Sequence, residues 1–159
     1  MKGFIGLTVL IGLCLVLYSS SIALAEMPGP DPKALWQYIT KVSPYKKWSF
    51  WPDHQGMQQG RAPHGVMHKV YVNDRALNSK RPPLQNGAIQ VKENYNKAGK
   101  LAAITVMYKI AGYNPIDGDW FWVKYTPKGF AKPFGTPMGC IDCHGTRARN
   151  DFVLVHEFY

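Results

Sequence analysis

The order of hydropathy patterns along the chain predicts an α+β fold: a predominantly antiparallel β-sheet with one helix ahead of it and a short helix or turn behind. Three observations carry this. Apolar residues recur with helical spacing after a Pro-rich lead-in, four later segments alternate with a period of two, and a compact Cys140-Ile141-Asp142-Cys143-His144 run follows the last of them.

The helix is predicted from Asp31-Pro32, a good N-cap and first-turn pair, with Leu35, Trp36, Ile39 and Val42 on its apolar side, and Ser43-Pro44 ends it. Tyr45 to Pro63 is rich in Gly, Pro, Gln and aromatic residues, including Trp48, Phe50 and Trp51, and reads as a long irregular segment packed by its own rings. Those rings either wall a pocket or fill a core. The strands are predicted at Val66–Val72, Ala88–Tyr95, Leu101–Ile110 and Trp120–Tyr125. Asn73-Asp74 starts a short helical turn through Lys80, and Pro82-Pro83 breaks it. Asn96 to Gly99 closes a hairpin, and Gly112 to Gly118 makes a loop. The last strand places Trp120 and Trp122 on one face and Phe121, Val123 and Tyr125 on the other, so it is expected to be central and buried.

Ahead of these elements Lys2 precedes an apolar run from Phe4 to Tyr18 and a small-X-small pattern at Ala23-Leu24-Ala25, which reads as a cleaved secretory signal peptide over residues 1–25. A membrane anchor is the competing reading, but the run is shorter than the ~20 residues a spanning helix needs. Residues 26–159 are then expected to form a single domain. The chain carries 19 basic and 10 acidic residues, and only Lys2 of these is lost with the leader. Such a basic surface favours an acidic redox partner or an anionic membrane; spread through the chain of an exported protein, it argues against nucleic acid.

The Cys140–His144 run has the spacing of a covalent haem site. Two thiols separated by two residues can add to neighbouring vinyl groups of one porphyrin, and the adjacent histidine then ligates the iron. One haem c is therefore expected, held by Cys140 and Cys143 with His144 as axial ligand. The alternatives are a Cys-X-X-Cys disulfide or half of a zinc site, and zinc would need a second set of ligands. Cys14 lies in the leader, and no methionine follows His144. A class I cytochrome c carries its motif early and a methionine well downstream, and a cytochrome c′ bundle needs four long amphipathic helices; this chain has neither pattern.

The stretches His68 to Val72, Gly87 to Glu93, Asp119 to Trp122, Thr126 to Gly129, Cys140 to His144 and Asn150 to Val153 resemble the cytochrome P-460 and cytochrome c′-beta family in order and spacing, over roughly residues 64–158. The resemblance implies a dimeric periplasmic haem protein of mixed sheet and helix. Some members oxidise hydroxylamine, and others bind nitric oxide or carbon monoxide. In the oxidising branch a lysine amine is bonded to the porphyrin edge, and Lys92 is similar in position to that lysine. From strand parity alone Lys92 shares a face with Gln90 and Asn94, opposite Ile89 and Val91, which suits a solvated edge equally well.

What lies across the ring decides what the iron does. His64 and His68 are candidate ligands or acid–base groups, with loop and core roles as the alternatives. Glu93 or Asp117 would serve as a proton acceptor if either faces the pocket. The distal glutamate that the resemblance implies on the third strand is missing, because Leu101 to Ile110 holds no acid and has Tyr108 and Lys109 instead. Three functions follow from one haem: an oxidoreductase acting on hydroxylamine-type nitrogen species, a nitric oxide or carbon monoxide binder without turnover, and a simple electron-transfer cytochrome.

Overall fold

The computed structural model describes residues 26–61 and 63–158; the leader over residues 1–25 lies outside them. Helix α1 (Pro32–Gln37) starts where Asp31, in extended conformation, accepts the Ala34 N–H on its carboxylate at 2.6 Å. It continues into a widened turn at Tyr38–Val42, which keeps Ile39 inward. Two-residue strands β1 (Ser49–Phe50) and β2 (Gln58–Gln59) follow, then β3 (Met67–Val72) and the turn-length helix α2 (Asp74–Leu77), capped by the Asn73 side chain. Strands β4 (Ile89–Tyr95), β5 (Leu101–Lys109), β6 (Trp120–Tyr125) and β7 (Ala131–Gly135) lead to helix α3 (Met138–Gly145).

Among the described residues these strands make one antiparallel sheet of order β1-β3-β4-β5-β6-β7, with β2 also paired to β3. The four predicted strands are present to within a residue at each end. Three more were not predicted, for a physical reason in each case. β1 and β2 exist only through pairing to β3 and are too short to show a period. β7 contains Pro133, which a strand tolerates at a sheet edge but not inside. Because β7 lies beyond it, β6 is the strand next to the edge rather than the central one, although all its residues except Lys124 are buried.

The sheet is apolar on both faces. On one, Leu35 and Ile39 of the first helical segment pack on Ile89, Val91, Val106, Phe121 and Tyr125. Hydrogen bonds from the Tyr125 hydroxyl to the Pro32 carbonyl and from Tyr108 to Pro28, both 2.7 Å, tie that segment down. On the other face Val70, Val72, Met107, Trp120 and Trp122 pack against Ile141 of α3 and against Phe152 and Val153. The parity read for β6 and for Ile89 and Val91 is therefore the observed one.

Parity also sends Glu93 to the α1 face. Only 1 % exposed, it accepts hydrogen bonds from Tyr95 (2.7 Å), Tyr45 (2.8 Å) and Tyr71 (3.4 Å) and pairs with Lys46 at 3.1 Å. Burial alone would raise its pKa; the hydrogen bonds from Tyr95, Tyr45 and Lys46 outweigh burial and lower it. With the folded pKa below the unfolded one, this carboxylate stabilises the fold above the ordinary value of 4.5, and the contribution is lost as pH falls through the depressed value. Glu93→Gln is expected to cost about 1–3 kcal/mol at neutral pH and to flatten the acid limb of stability measured by urea denaturation.

Candidate haem-attachment site

The cysteine run lies on α3. Cys140, Cys143 and His144 stand at positions i, i+3 and i+4, which share one helix face, while Ile141 turns inward to the sheet. That face closes a cavity of about 310 Å³ whose opposite wall is the sheet: Val70 of β3, Gln90 and Lys92 of β4, Thr105 and Met107 of β5, Trp122 and Lys124 of β6. His64 and Pro63, from the loop before β3, and Leu154 and Val155, after α3, complete the wall.

Neither cysteine is in a disulfide, and among the described residues no group of three or more His, Cys, Asp or Glu side chains is placed to hold a metal ion. The disulfide and zinc alternatives thus find no support in the geometry. The wall suits a flat apolar group with acidic substituents: it is largely apolar, it carries the cationic Lys92 and Lys124, and the indole N–H of Trp122 is buried with no acceptor among the described residues. Both thiols and His144 face it together, as covalent haem attachment requires.

His144 is oriented from outside the motif. Its Nδ1 lies 2.8 Å from the Phe152 carbonyl oxygen. A carbonyl only accepts, so Nδ1 carries the proton and Nε2 keeps the lone pair that an iron ligand needs. Trp122 packs edge-on to the imidazole, with centroids 4.7 Å apart. Burial lowers the His144 pKa, against the Phe152 hydrogen bond, which raises it. The Phe152 carbonyl is held by an unusual backbone: Asp151 and Phe152 have φ of 52° and 65°, where non-glycine residues are strained. The Asp151 carboxylate fixes that bend. It takes Lys109 Nζ at 2.5 and 2.7 Å and the Leu84 N–H at 2.7 Å, and the Trp120 indole donates to the Asp151 carbonyl at 3.0 Å. Gly118, at φ 72°, lets the Phe152 ring approach so closely that a Cβ there would meet it at 2.9 Å.

Lys92 lines the cavity beside Cys143, facing away from solvent rather than forming a solvated edge. Burial lowers its pKa to about 8. His64 and His68 are separated. β3 begins only at Met67, so His64 stays in the loop and reaches the cavity, while His68 is buried on the strand with its Nε2 2.7 Å from His54 Nε2. Burial and then the Lys92 charge bring the pKa of each down to about 4. The proposed carboxylate acceptors do not reach the cavity. Glu93 is on the other face of the sheet, and Asp117 is held by Asn114 in a loop turn at 3.0 Å. Lys109, which takes the place of an acid on β5, is the buried partner of Asp151.

The supporting pair Lys109–Asp151 and the Phe152 carbonyl were not picked out from residue types. The signal for them was the Asn150 to Val153 stretch, whose role depends on a contact 42 positions away. A family model described as Cytochrome P460 matches residues 42–155. The comparison with curated proteins gives no match.

Proposed function

Since the chain belongs to the cytochrome P460 family of c-type haem proteins, we propose that it is a periplasmic mono-haem protein that takes small nitrogen species at the iron and oxidises those of the hydroxylamine type. This reading takes residues 26–159 as one haem domain behind a cleaved leader, working as a homodimer with an acidic redox partner. The observation that carries it is Lys92, an amine with a depressed pKa lining the same cavity as Cys140, Cys143 and His144.

The Cys140 and Cys143 thiols would hold a haem by adding across two neighbouring vinyl groups, sulfur taking one carbon of each C=C and the thiol hydrogen the other, and His144 Nε2 would ligate its iron. Bound haem supplies an iron that takes a nitrogen ligand and passes its electrons onward singly. Lys92, with a pKa of about 8, is neutral in about one molecule in ten at pH 7, against about one in 3,000 for an ordinary lysine. A neutral amine held at the cavity wall is the nucleophile a bond to the porphyrin edge needs. Closing that bond would exchange an N–H and a C–H for one N–C bond, and a two-electron oxidant of the peroxide class would have to take up the two electrons and two protons. With Lys92 bonded, His64 is the base left on that part of the wall, and once the incoming molecule is in place it takes the role of a carboxylate in accepting substrate protons.

Lys92→Leu is expected to leave haem attachment intact while removing any haem–lysine bond and lowering hydroxylamine turnover at least tenfold. Peptide mass mapping and an assay with an artificial electron acceptor check both. Before any cross-link forms, amine-reactive labelling of Lys92 in the haem-free chain should rise with pH through a midpoint near 8, about two units below that of an exposed lysine. A haem-bearing protein that binds carbon monoxide when reduced but never turns over hydroxylamine would favour the gas-binding reading instead.

A further inference from the structure

We propose that His64 is the second axial ligand of the haem iron in the resting protein, and that an incoming small molecule must displace it. The inference rests on the haem reading above and changes one expectation drawn from it: the sixth position is closed at rest rather than open.

The imidazoles of His64 and His144 both line the cavity, with ring centroids 6.4 Å apart and planes at 80°. With a metal–imidazole bond of about 2.0 Å on each side and roughly 1.1 Å from nitrogen to ring centre, two axial imidazoles on one metal stand about 6.2 Å apart. The observed 6.4 Å matches that spacing, so the two rings leave room for one metal between them.

Hydrogen bonding points the same way. The chain has five histidines. His54 and His68 bond each other, His144 bonds the Phe152 carbonyl and His156 bonds Asp53. Among the described residues, the His64 ring alone has no hydrogen-bond partner, although it lines a largely apolar cavity. A half-buried imidazole without a partner is costly unless something ligates it. The rival donors are less well placed. The Met107 sulfur already takes a contact from Gln90 Nε2 at 3.8 Å, and Lys92 projects from the sheet beside Cys143.

The backbone holds His64 there. Gly60 N–H donates to the Val66 carbonyl at 2.7 Å, and Val66 N–H donates to the Tyr95 carbonyl at 3.1 Å, so the loop is pinned to the end of β4. Gly65, at φ 90°, lies so close to that strand that a Cβ would meet the Tyr95 oxygen at 2.5 Å.

The test uses the full-length, haem-loaded protein. The wild-type ferric form is expected to be low-spin, with the strongly anisotropic electron paramagnetic resonance signal of near-perpendicular axial imidazoles. His64→Ala should convert it to high-spin, added imidazole should restore the low-spin signal, and carbon monoxide should bind the reduced variant at least tenfold faster than the reduced wild type. Gly65→Ala, which keeps the imidazole but displaces its loop, should give a mixture of the two spin states. A high-spin wild type whose spectra are unchanged in His64→Ala overturns the assignment and leaves the haem reading intact. A low-spin signal that survives His64→Ala and disappears in Lys92→Leu assigns the ligand to Lys92 and also overturns it. A purified chain with no covalent haem overturns both this assignment and the reading beneath it.

Discussion

Asp151→Ala is expected to destabilise the protein by about 3–5 kcal/mol, a large share of the 5–15 kcal/mol that holds a typical domain folded. The carboxylate is 4 % exposed and its partner Lys109 8 %. Removing it leaves a buried ammonium with no counter-charge and strips the Leu84 N–H of its acceptor. It also releases the backbone bend at Asp151 and Phe152. The Phe152 carbonyl would then no longer hold His144 Nδ1 at 2.8 Å, so His144 loses its orientation as well as its support. Urea denaturation measures the first effect, and the spectrum of the haem-loaded variant measures the second. Asp151→Asn should fall between, because it keeps the shape and loses the charge. The double variant Lys109→Met with Asp151→Leu should recover much of the stability, since a buried pair replaced by apolar groups of similar volume costs little. It should not recover the His144 orientation, which depends on the carbonyl position and not on core packing alone. A double variant as unstable as Asp151→Ala would show that the ion pair is not the source of the cost.

Cys140→Ser combined with Cys143→Ser in a Lys92→Leu background, where no lysine bond can form, is expected to abolish covalent haem attachment altogether, whereas each single cysteine variant keeps one thioether. Both thiols are unpaired and face the same cavity as His144, and no other cysteine is among the described residues. In that background the chain lacking both cysteines should give the mass of the bare polypeptide after denaturation and release all its pigment into acidified organic solvent. It should also be less stable, because haem held only by His144 and apolar contacts is lost by dilution. A ligand at a hundred times its dissociation constant contributes only about 2.7 kcal/mol, and nothing once it has left. Retention of haem through denaturation in the double cysteine variant that keeps Lys92 would mean that another side chain bonds the porphyrin, with Lys92 the nearest nucleophile.

Period-two alternation along Met67–Val72, Ile89–Tyr95, Leu101–Lys109 and Trp120–Tyr125, and the Cys140–His144 spacing, are local patterns. They were legible because a half-buried strand or a haem motif imposes its period on neighbouring residues whatever the rest of the chain does. The same parity correctly grouped Lys92 with Gln90 and Asn94 against Ile89 and Val91. Parity cannot say which side of a sheet faces solvent and which a cavity. Whether Lys92 forms a solvated edge or faces the pocket, and whether Glu93 faces it, both turned on that missing fact. The short strands β1 and β2 and the Pro-containing edge strand β7 owe their conformation to partners distant in the chain and carry no period of their own.

By itself, then, the sequence determined the sheet's inner strands, the leading helix and the Cys140–His144 spacing that points to a haem, because each is encoded within a few consecutive positions. Only the tertiary structure decided that His64 and His144 line one cavity, that Asp151 and Lys109 hold the Phe152 carbonyl against His144, and that Glu93 belongs to a tyrosine cluster on the far face. Those contacts join side chains tens of residues apart, and their geometry is set by strand register and by how α3 packs on the sheet, neither of which any local pattern specifies.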